Sequence, residues 1–173
     1  MIKIFDAVPD DAGEILEIYA PYVRDTAISF EYDVPSPTEF RERIIKTLKK
    51  FPYIKAVSTE NNKIVGYAYA GEFKARKAYE ISCEVSIYVK NDFHGHGIGR
   101  LLYEELEKRL KAQGILNMYA CVAYPEIEDE YLTRNSFNFH EHMGFKTAGR
   151  FTNCAKKFGR LYSMVWLEKF TGK

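Results

Sequence analysis

The sequence lacks the features that mark membrane-spanning, secreted and disulfide-stabilised proteins. No stretch approaches the roughly 18 consecutive apolar residues that a transmembrane helix requires, and no apolar segment follows a basic N-terminal stretch. The chain has only three cysteines, Cys83, Cys121 and Cys154, without CxxC spacing, which argues against a disulfide framework and a zinc knuckle. We therefore expect a cytoplasmic protein without a membrane partner, whose thiols are reduced and mostly buried.

An excess of charge of either sign is also missing. The 25 Lys and Arg residues balance the 24 Asp and Glu residues, and the net charge of +1 indicates no nucleic-acid partner. Aromatic residues are plentiful instead, with 13 Tyr and 12 Phe, and we interpret them as core or subunit-interface residues. The length of 173 residues is suited to one domain that spans residues 1–173.

Apolar periodicity and turn residues predict seven strands and four helices. The strands are expected at residues 2–8, 53–59, 63–73, 80–89, 116–123, 145–151 and 161–169. Helices are expected from Ala12 through Tyr22, from Pro37 to Leu48 behind a Ser36 cap, from Ile98 to Leu110, and from Thr133 to Met143. The third helix shows Ile98, Leu101, Leu102, Leu106 and Leu110 on one face. Because strands and helices do not alternate strictly, a mixed sheet with helices on its faces is favoured over a doubly wound fold.

The segment Glu84–Leu106 has the clearest functional pattern. A strand-like run leads through a loop with Gly95, Gly97 and Gly99 into a helix. Glycines leave backbone N–H groups unshielded, and the first helical turn adds unpaired donors and a positive dipole end, which together favour a phosphate. The dinucleotide-binding pattern fails because Arg100 stands where its third glycine is required, and the G-K-[ST] of a P-loop is absent.

The remaining glycine spacing, with a basic residue behind it, resembles the coenzyme A pyrophosphate loop of the GNAT superfamily of N-acetyltransferases. Further segments, in chain order, are similar to one branch of it, the phosphinothricin N-acetyltransferase-like proteins. These segments are Ile18-Tyr19, Ser29-Phe30-Glu31, Ile64–Tyr67, Arg76–Tyr79, Glu84–Val89, Gly95–Gly99, His140–Phe145 and Lys157–Gly159. The resemblance implies an α/β (α+β) GNAT fold, in which four helices flank a central twisted sheet of about seven strands, mixed and mostly antiparallel.

The resemblance also implies an activity. We expect acetyl-CoA as cosubstrate, no metal, and direct transfer of the acetyl group in a ternary complex. The expected acceptor is the α-amino group of a small amino acid or analogue of the phosphinothricin or methionine sulfoximine type. A homodimer is expected from the resemblance alone.

Two residues are candidates for proton transfer. Acetyl transfer to an amine needs a neutral nucleophile and a proton for the departing thiolate. The resemblance makes Glu84, at the start of the strand that enters the glycine loop, the general base; an ordinary ion pair at a strand end is the alternative. His140 occupies a position where many members of the superfamily carry a tyrosine that protonates the sulfur. Its alternative role is packing near a helix C-terminus.

Coenzyme A contacts are expected along the strand, the loop and a facing helix. The resemblance assigns backbone groups of Ile87, Tyr88 and Val89 to the pantetheine arm. The remaining candidates at the loop and the facing helix are His94, Gly95, His96, Gly97, Ile98, Gly99, Arg100 and Ser136. The alternative for His94, His96 and Arg100 is that they are ordinary surface residues at a helix start. The alternative for Ser136 is a solvated serine in a helix.

Acceptor contacts are expected, from the resemblance, at Phe30, Glu31, Arg76 and Tyr79, with an arginine that holds the acceptor carboxylate. Arg76 and Tyr79 are equally explained as a charged turn and a strand aromatic. The chain also departs from the branch. His94 replaces a usual Arg or Gln, Thr133 replaces an Asn, and the Trp and Asp of K-x-G-x-W-x-D are Leu161 and Ser163.

Three other interpretations remain open. All four histidines fall in the H-x-H pairs 94/96 and 140/142, which raises the possibility of a metal site, although residues two apart on a helix point to nearly opposite sides. The departures at Leu161 and Ser163 also fit a non-catalytic acyl-CoA-binding sensor. An enzyme of the same superfamily that acts on a different amine is the third alternative.

Overall fold

The computed structural model of the protein describes residues 1–172, which form seven strands and four α-helices. The strands are β1 (Ile2–Asp6), β2 (Tyr53–Ser58), β3 (Lys63–Glu72), β4 (Ser82–Val89), β5 (Asn117–Tyr124), β6 (Lys146–Lys157) and β7 (Arg160–Phe170). The helices are α1 (Ala12–Asp25), α2 (Pro37–Leu48), α3 (Ile98–Ala112) and α4 (Asn135–His142). The predicted order of elements is confirmed.

The seven strands form one mixed sheet in the order β1-β2-β3-β4-β5-β7-β6. The β4–β5 pair is parallel and every other neighbouring pair is antiparallel. The parallel register joins only Ser82–Glu84 to Asn117–Tyr119, although each strand continues well beyond it. The predicted sheet, mixed and mostly antiparallel, is therefore confirmed, and it opens in its middle.

Helices cover both faces of the sheet. On one face, α1 and α2 pack against buried side chains such as Tyr53 and Tyr67, and on the other α3 packs against side chains such as Ala68 and Val85. Adjacent residues of β3 alternate between these cores, as the two-residue period of a strand requires. None of the described helices has the length and apolar character needed to cross a bilayer.

Local capping explains where α2 begins. The Ser36 hydroxyl oxygen accepts a hydrogen bond from the Glu39 N–H at 3.1 Å, and Pro37 occupies the first turn, where a missing N–H costs nothing. The prediction of a Ser36 cap is confirmed.

The structure corrects several details. The β6 strand runs to Lys157, six residues beyond the expected end, and reaches β7 through a tight turn in which Phe158 and Gly159 both have positive φ. Residues 152–157 gave no alternating signal because β6 is an edge strand whose side chains are mostly exposed. Cys121 and Cys154 are exposed, so the expectation of mostly buried thiols holds only for Cys83.

Candidate active site

A cleft opens where β4 and β5 diverge, and we call it the β4–β5 cleft. Its walls come from both strands, from the loop after α1, from α3 and from α4. The lining residues are Ile28, Val85–Tyr88, Tyr103, Ala120–Ala123, Leu132, Ser136 and His140. Within residues 1–172, the segment Val85–Val89 is paired with β3 on one side and has no register partner on β5. Its other edge can therefore pair with an extended, amide-containing ligand, as an added strand would.

The glycine loop lies at the open end of this cleft. Gly95 and Gly97 have φ of 78° and 76°, the left-handed region that disfavours side chains, and α3 begins directly after Gly97. A Cβ on Gly99 would lie 3.1 Å from two ring atoms of Phe139, so this glycine permits the close approach of α4 to α3. The loop thus presents unshielded backbone donors and the positive end of a 15-residue helix, a suitable site for a phosphate.

The side chains beside the loop have protein partners in this structure. The His94 ring turns back to the end of β4, where Nε2 lies 2.9 Å from the Val89 carbonyl oxygen and 2.8 Å from the Tyr22 hydroxyl. His96 Nδ1 donates to the His94 carbonyl at 3.0 Å. Arg100 is exposed and pairs with Glu104 at 2.7 Å, while Ile98 is buried in the core, so only its backbone faces the loop.

Glu84 lies at the closed end of the cleft. Its register partners are Gly71 on β3 and Tyr119 on β5, so it is the last residue before the two strands separate. A Cβ on Gly71 would meet no atom within 4 Å, which leaves space beside the Glu84 carboxylate. Burial raises the pKa of Glu84, and the Lys74 cation offsets that rise in part. A half-buried carboxyl group with a raised pKa is a suitable proton acceptor.

His140 is 4% exposed and both of its ring nitrogens are hydrogen-bonded. Nδ1 donates to the Ser136 carbonyl at 2.7 Å, and Nε2 lies 2.8 Å from the Tyr103 hydroxyl. Burial lowers the pKa of His140. The imidazole is therefore neutral at neutral pH, with its proton on Nδ1, and Tyr103 donates to Nε2.

Tyr103 is a site residue that the sequence analysis missed. It is 1% exposed and belongs to the buried stripe of α3, whereas Leu101, which we expected there, is 43% exposed. By pattern it is an ordinary core aromatic residue, and no spacing links it to His140, 37 residues later. Only the packing of α4 on α3 brings the two side chains together at the cleft.

The loop between α1 and α2 contains Phe30 and Glu31. The Glu31 carboxylate accepts two hydrogen bonds from the Arg43 guanidinium, at 2.6 and 3.1 Å, and a third from the Tyr19 hydroxyl. The bond to Arg43 holds the pKa of Glu31 below its usual value. Phe30 packs against the small core around Leu132. The sequence analysis also missed Arg43, which lies in α2 among other charged residues.

Arg76 and Tyr79 lie in the connection between β3 and β4. Arg76 is exposed, and the partly exposed ring of Tyr79 makes an edge contact with Phe73, at 5.9 Å between centroids. Phe73 in turn stacks on Tyr119, the β5 partner of Glu84, at 4.2 Å. This connection is therefore linked to the closed end of the cleft.

Tyr69 on β3 is affected by the charges of both carboxylates. Burial raises the pKa of Tyr69, a hydrogen bond to Ser86 lowers it, and the charges of Glu84 and Glu31 add to the rise. The structure thus brings Glu84 and the α1–α2 loop toward one region, on the face of the sheet that α1 and α2 cover.

The two residues that depart from the K-x-G-x-W-x-D pattern of the branch have different environments. Leu161 is 57% exposed, whereas Ser163 is fully buried. The Ser163 hydroxyl donates to the Glu126 carboxylate at 2.6 Å and accepts from the Asn153 N–H at 3.0 Å. A carboxylate thus reaches the position of Ser163 from a neighbouring loop.

The histidine pairs are occupied by hydrogen bonds. Besides the three rings described above, His142 Nδ1 donates to the Asn138 carbonyl at 2.6 Å. Residues 1–172 contain no group of three or more His, Cys, Asp or Glu side chains arranged to hold a metal ion.

Comparison with known proteins gives consistent matches. The sequence profile described as "Acetyltransferase (GNAT) domain" matches residues 4–166. The chain is 31% identical over 170 residues to the phosphinothricin N-acetyltransferase of Streptomyces coelicolor, with 97% of this chain and 95% of that enzyme covered. It is 28% identical to the L-methionine sulfoximine/L-methionine sulfone acetyltransferase of Pseudomonas aeruginosa, with 96% and 92% covered.

A solved structure agrees with these sequence matches. The crystal structure of a GNAT superfamily phosphinothricin acetyltransferase from Sinorhizobium meliloti, in complex with acetyl-CoA, superimposes with a TM-score of 0.89. The two chains are 30% identical, and the match covers 99% of this chain and 89% of that one.

Proposed function

We propose that this chain, which belongs to the GNAT acetyltransferase family and to its phosphinothricin N-acetyltransferase-like branch, acetylates the α-amino group of a small amino acid or amino-acid analogue. The observation that carries the proposal is the β4–β5 cleft, which has Glu84 at its closed end and the glycine loop at its open end. One acetyltransferase domain over residues 1–173 is part of the proposal.

The residues of the cleft fit acetyl-CoA. The unpaired edge of Ile87, Tyr88 and Val89 suits the amides of the pantetheine arm, and the backbone N–H groups of residues 95–99 suit the pyrophosphate. Arg100 is an exposed cation beside the loop, and Ser136 reaches the cleft from α4. Acetyl-CoA supplies the activated acyl group when it is bound there. His94 and His96 contribute chiefly by holding the loop in shape, because their rings bond to backbone carbonyls.

Glu84 acts as the general base. Its carboxylate accepts a proton from the acceptor ammonium, directly or through one water, so that the amine becomes a nucleophile. The amine then attacks the thioester carbonyl in a ternary complex, the new C–N bond replaces the C–S bond, and coenzyme A leaves. The raised pKa of Glu84 makes it a better base than an exposed glutamate.

His140 supplies the proton for the departing thiolate, and Tyr103 connects it to the cleft. When His140 is protonated, Nε2–H donates to the Tyr103 oxygen, and the Tyr103 proton is then available to the sulfur. Transfer along this pair leaves a neutral imidazole, an intact tyrosine and a thiol. Because burial lowers the pKa of His140, its protonated form is a stronger acid than an exposed histidine, although less populated at neutral pH.

The acceptor lies between the α1–α2 loop and the β3–β4 connection. Arg76 holds its carboxylate, while Phe30, Glu31 and Tyr79 surround it. The phosphinothricin and methionine sulfoximine enzymes among the relatives support an amino-acid analogue as acceptor. We further infer that the protein is a cytoplasmic homodimer that acts without a nucleic-acid or membrane partner.

Acetyl-CoA-dependent release of thiol tests the function. The panel contains phosphinothricin, methionine sulfoximine, methionine sulfone, ordinary amino acids, polyamines and aminoglycosides. Many turnovers with an amino-acid acceptor are expected, whereas turnover on a polyamine or aminoglycoside alone would overturn the acceptor class. Tight binding of acetyl-CoA without turnover on any acceptor would favour a non-catalytic sensor.

A further inference from the structure

Lys157, at the end of β6, is a buried cation outside the catalytic machinery described above. It is 3% exposed, yet its ammonium group is fully hydrogen-bonded. Nζ donates to the carbonyl oxygens of Val23 at 2.7 Å, Thr26 at 2.8 Å and Ser29 at 2.7 Å. An ammonium has three N–H donors, so each one has its own acceptor.

The three carbonyls follow one another through the end of α1 and the loop behind it. The Val23 carbonyl lies in the last turn of α1, where carbonyls have no helical partner and the helix dipole is negative. Burial lowers the pKa of Lys157, and the Glu31 carboxylate opposes that shift. The loop thus wraps around a positive charge, because converging carbonyl dipoles would otherwise repel one another.

The loop that Lys157 holds, residues 26–31, also borders the β4–β5 cleft. Ile28 lines the β4–β5 cleft. The Ser29 hydroxyl lies 2.8 Å from the Tyr19 hydroxyl and accepts from the Glu31 N–H at 3.2 Å, so Ser29 links the lysine-bound turn to Glu31. A second tie joins Ala27 N–H to the Tyr131 carbonyl at 2.9 Å. Movement of the loop away from Lys157 would therefore displace both Ile28 and Glu31.

We propose that Lys157 is a positioning residue for the acceptor, because its ammonium sets the shape of residues 26–31 while touching neither substrate. The inference rests on the proposed function for the identity of the acceptor site. The backbone contacts proposed for acetyl-CoA lie on β4 and the glycine loop, which Lys157 does not touch. Among residues 26–31, Ile28 alone lines the cleft, so the lysine should affect acetyl-CoA far less than the acceptor.

The test compares Lys157→Met with Lys156→Met in the full chain. Lys156 is the adjacent, exposed residue of the same strand, so its variant controls for the loss of a charge. We expect Lys157→Met to raise the KM for the acceptor by about tenfold or more, the effect of losing a charge-assisted hydrogen bond. The Kd for acetyl-CoA is expected to change less than about twofold, since its proposed backbone contacts lie on β4 and the glycine loop. Lys156→Met should change neither value.

Two further measurements keep the proposal testable. Amide hydrogen exchange should accelerate at residues 26–31 in Lys157→Met and not in Lys156→Met, a readout that does not require a known acceptor. Lys157→Arg keeps the charge with a different donor geometry, so its acceptor KM is expected above that of the wild type and below that of Lys157→Met. If the Met variant does not fold, the comparison of Lys157→Arg with the wild type carries the test. An unchanged acceptor KM, or unchanged exchange in the loop, would overturn the proposal. Absence of turnover in the wild type would instead count against the proposed function.

Discussion

Gly66 in β3 permits α3 to pack closely on the sheet, and its replacement gives a sharp test of that packing. A Cβ at this position would lie 3.2 Å from the Leu102 side chain, 3.3 Å from the Ile98 side chain and 3.2 Å from the Tyr88 carbonyl oxygen. The carbonyl belongs to the β3–β4 ladder, and Ile98 and Leu102 are fixed in the first two turns of α3. The added methyl group therefore has to push the start of α3 away from the sheet.

The cost of Gly66→Ala follows from this crowding. Overpacking by one methyl group typically costs about 1–3 kcal/mol. A chain of this length loses about 2–4 °C in melting temperature per kcal/mol, so we expect a decrease of about 2–12 °C. Since the glycine loop leads directly into the displaced turn, acetyl-CoA should also bind more weakly.

Gly71→Ala is the matched control in the same strand. A Cβ there would meet no atom within 4 Å, so its melting temperature should equal or slightly exceed that of the wild type. Thermal unfolding followed by circular dichroism and acetyl-CoA titration by calorimetry measure both effects. A Gly66→Ala protein that melts at or above the wild-type temperature and binds acetyl-CoA normally would refute the packing argument.

Three further predictions concern the titratable residues of the site. Glu84→Gln should lower kcat/KM by roughly 10²–10⁴-fold, and the wild-type rate should decline as pH falls through the raised pKa of Glu84, which converts the base to its neutral acid; normal turnover in the Gln variant would exclude Glu84 as base. His140→Phe should lower kcat most at acidic pH, and the difference from the wild type should shrink as pH rises through the lowered pKa of His140. If the ratio of wild-type to variant kcat, from stopped-flow or steady-state rates, is constant from pH 5.5 to 8.5, His140 has only a packing role. Burial lowers the pKa of His140 in the folded protein, so below about pH 6.5 the unfolded chain binds a proton that the folded chain does not, and the folded state loses stability. Urea unfolding should therefore show a larger loss of stability between pH 7.5 and 5.5 for the wild type than for His140→Gln. Equal losses in the two proteins would contradict a buried, neutral imidazole.

The order of the elements was predictable because their signals are local. The Ser36 cap and the glycine loop each depend on a few adjacent residues. The proposal of Glu84 as base followed from the resemblance, whereas its position at the opening of the sheet comes from the register of β4 with β5.

The partners of the candidate residues were not predictable from the sequence. Tyr103 meets His140 across 37 residues, and Lys157 reaches the Val23 carbonyl across 134 residues. Tyr103 resembles a core aromatic residue by pattern, and the K-x-G match at Lys157 does not indicate which atoms its ammonium group contacts. Only the packed structure shows that Tyr103 is hydrogen-bonded to His140 and that Lys157 is buried.

The second half of β6 was also not predictable from the sequence. Most of β6 is exposed, so selection for burial leaves no alternating pattern in residues 152–157. Asn153, with positive φ, lies in an irregular stretch of the β6–β7 pairing that disrupts the period further. The sequence therefore indicated only the first half of this strand.

The central claim is that the β4–β5 cleft catalyses transfer of acetyl to the α-amine of an amino-acid acceptor with Glu84 as base. The most direct measurement is nuclear magnetic resonance of reactions with carbon-13-labelled acetyl-CoA and the best acceptor of the panel, run with wild type and Glu84→Gln. The account predicts a labelled acetamide on the acceptor α-nitrogen, formed rapidly by the wild type and at least about a hundredfold more slowly by the variant. Label on another atom of the acceptor, or equal rates in the two proteins, would contradict it.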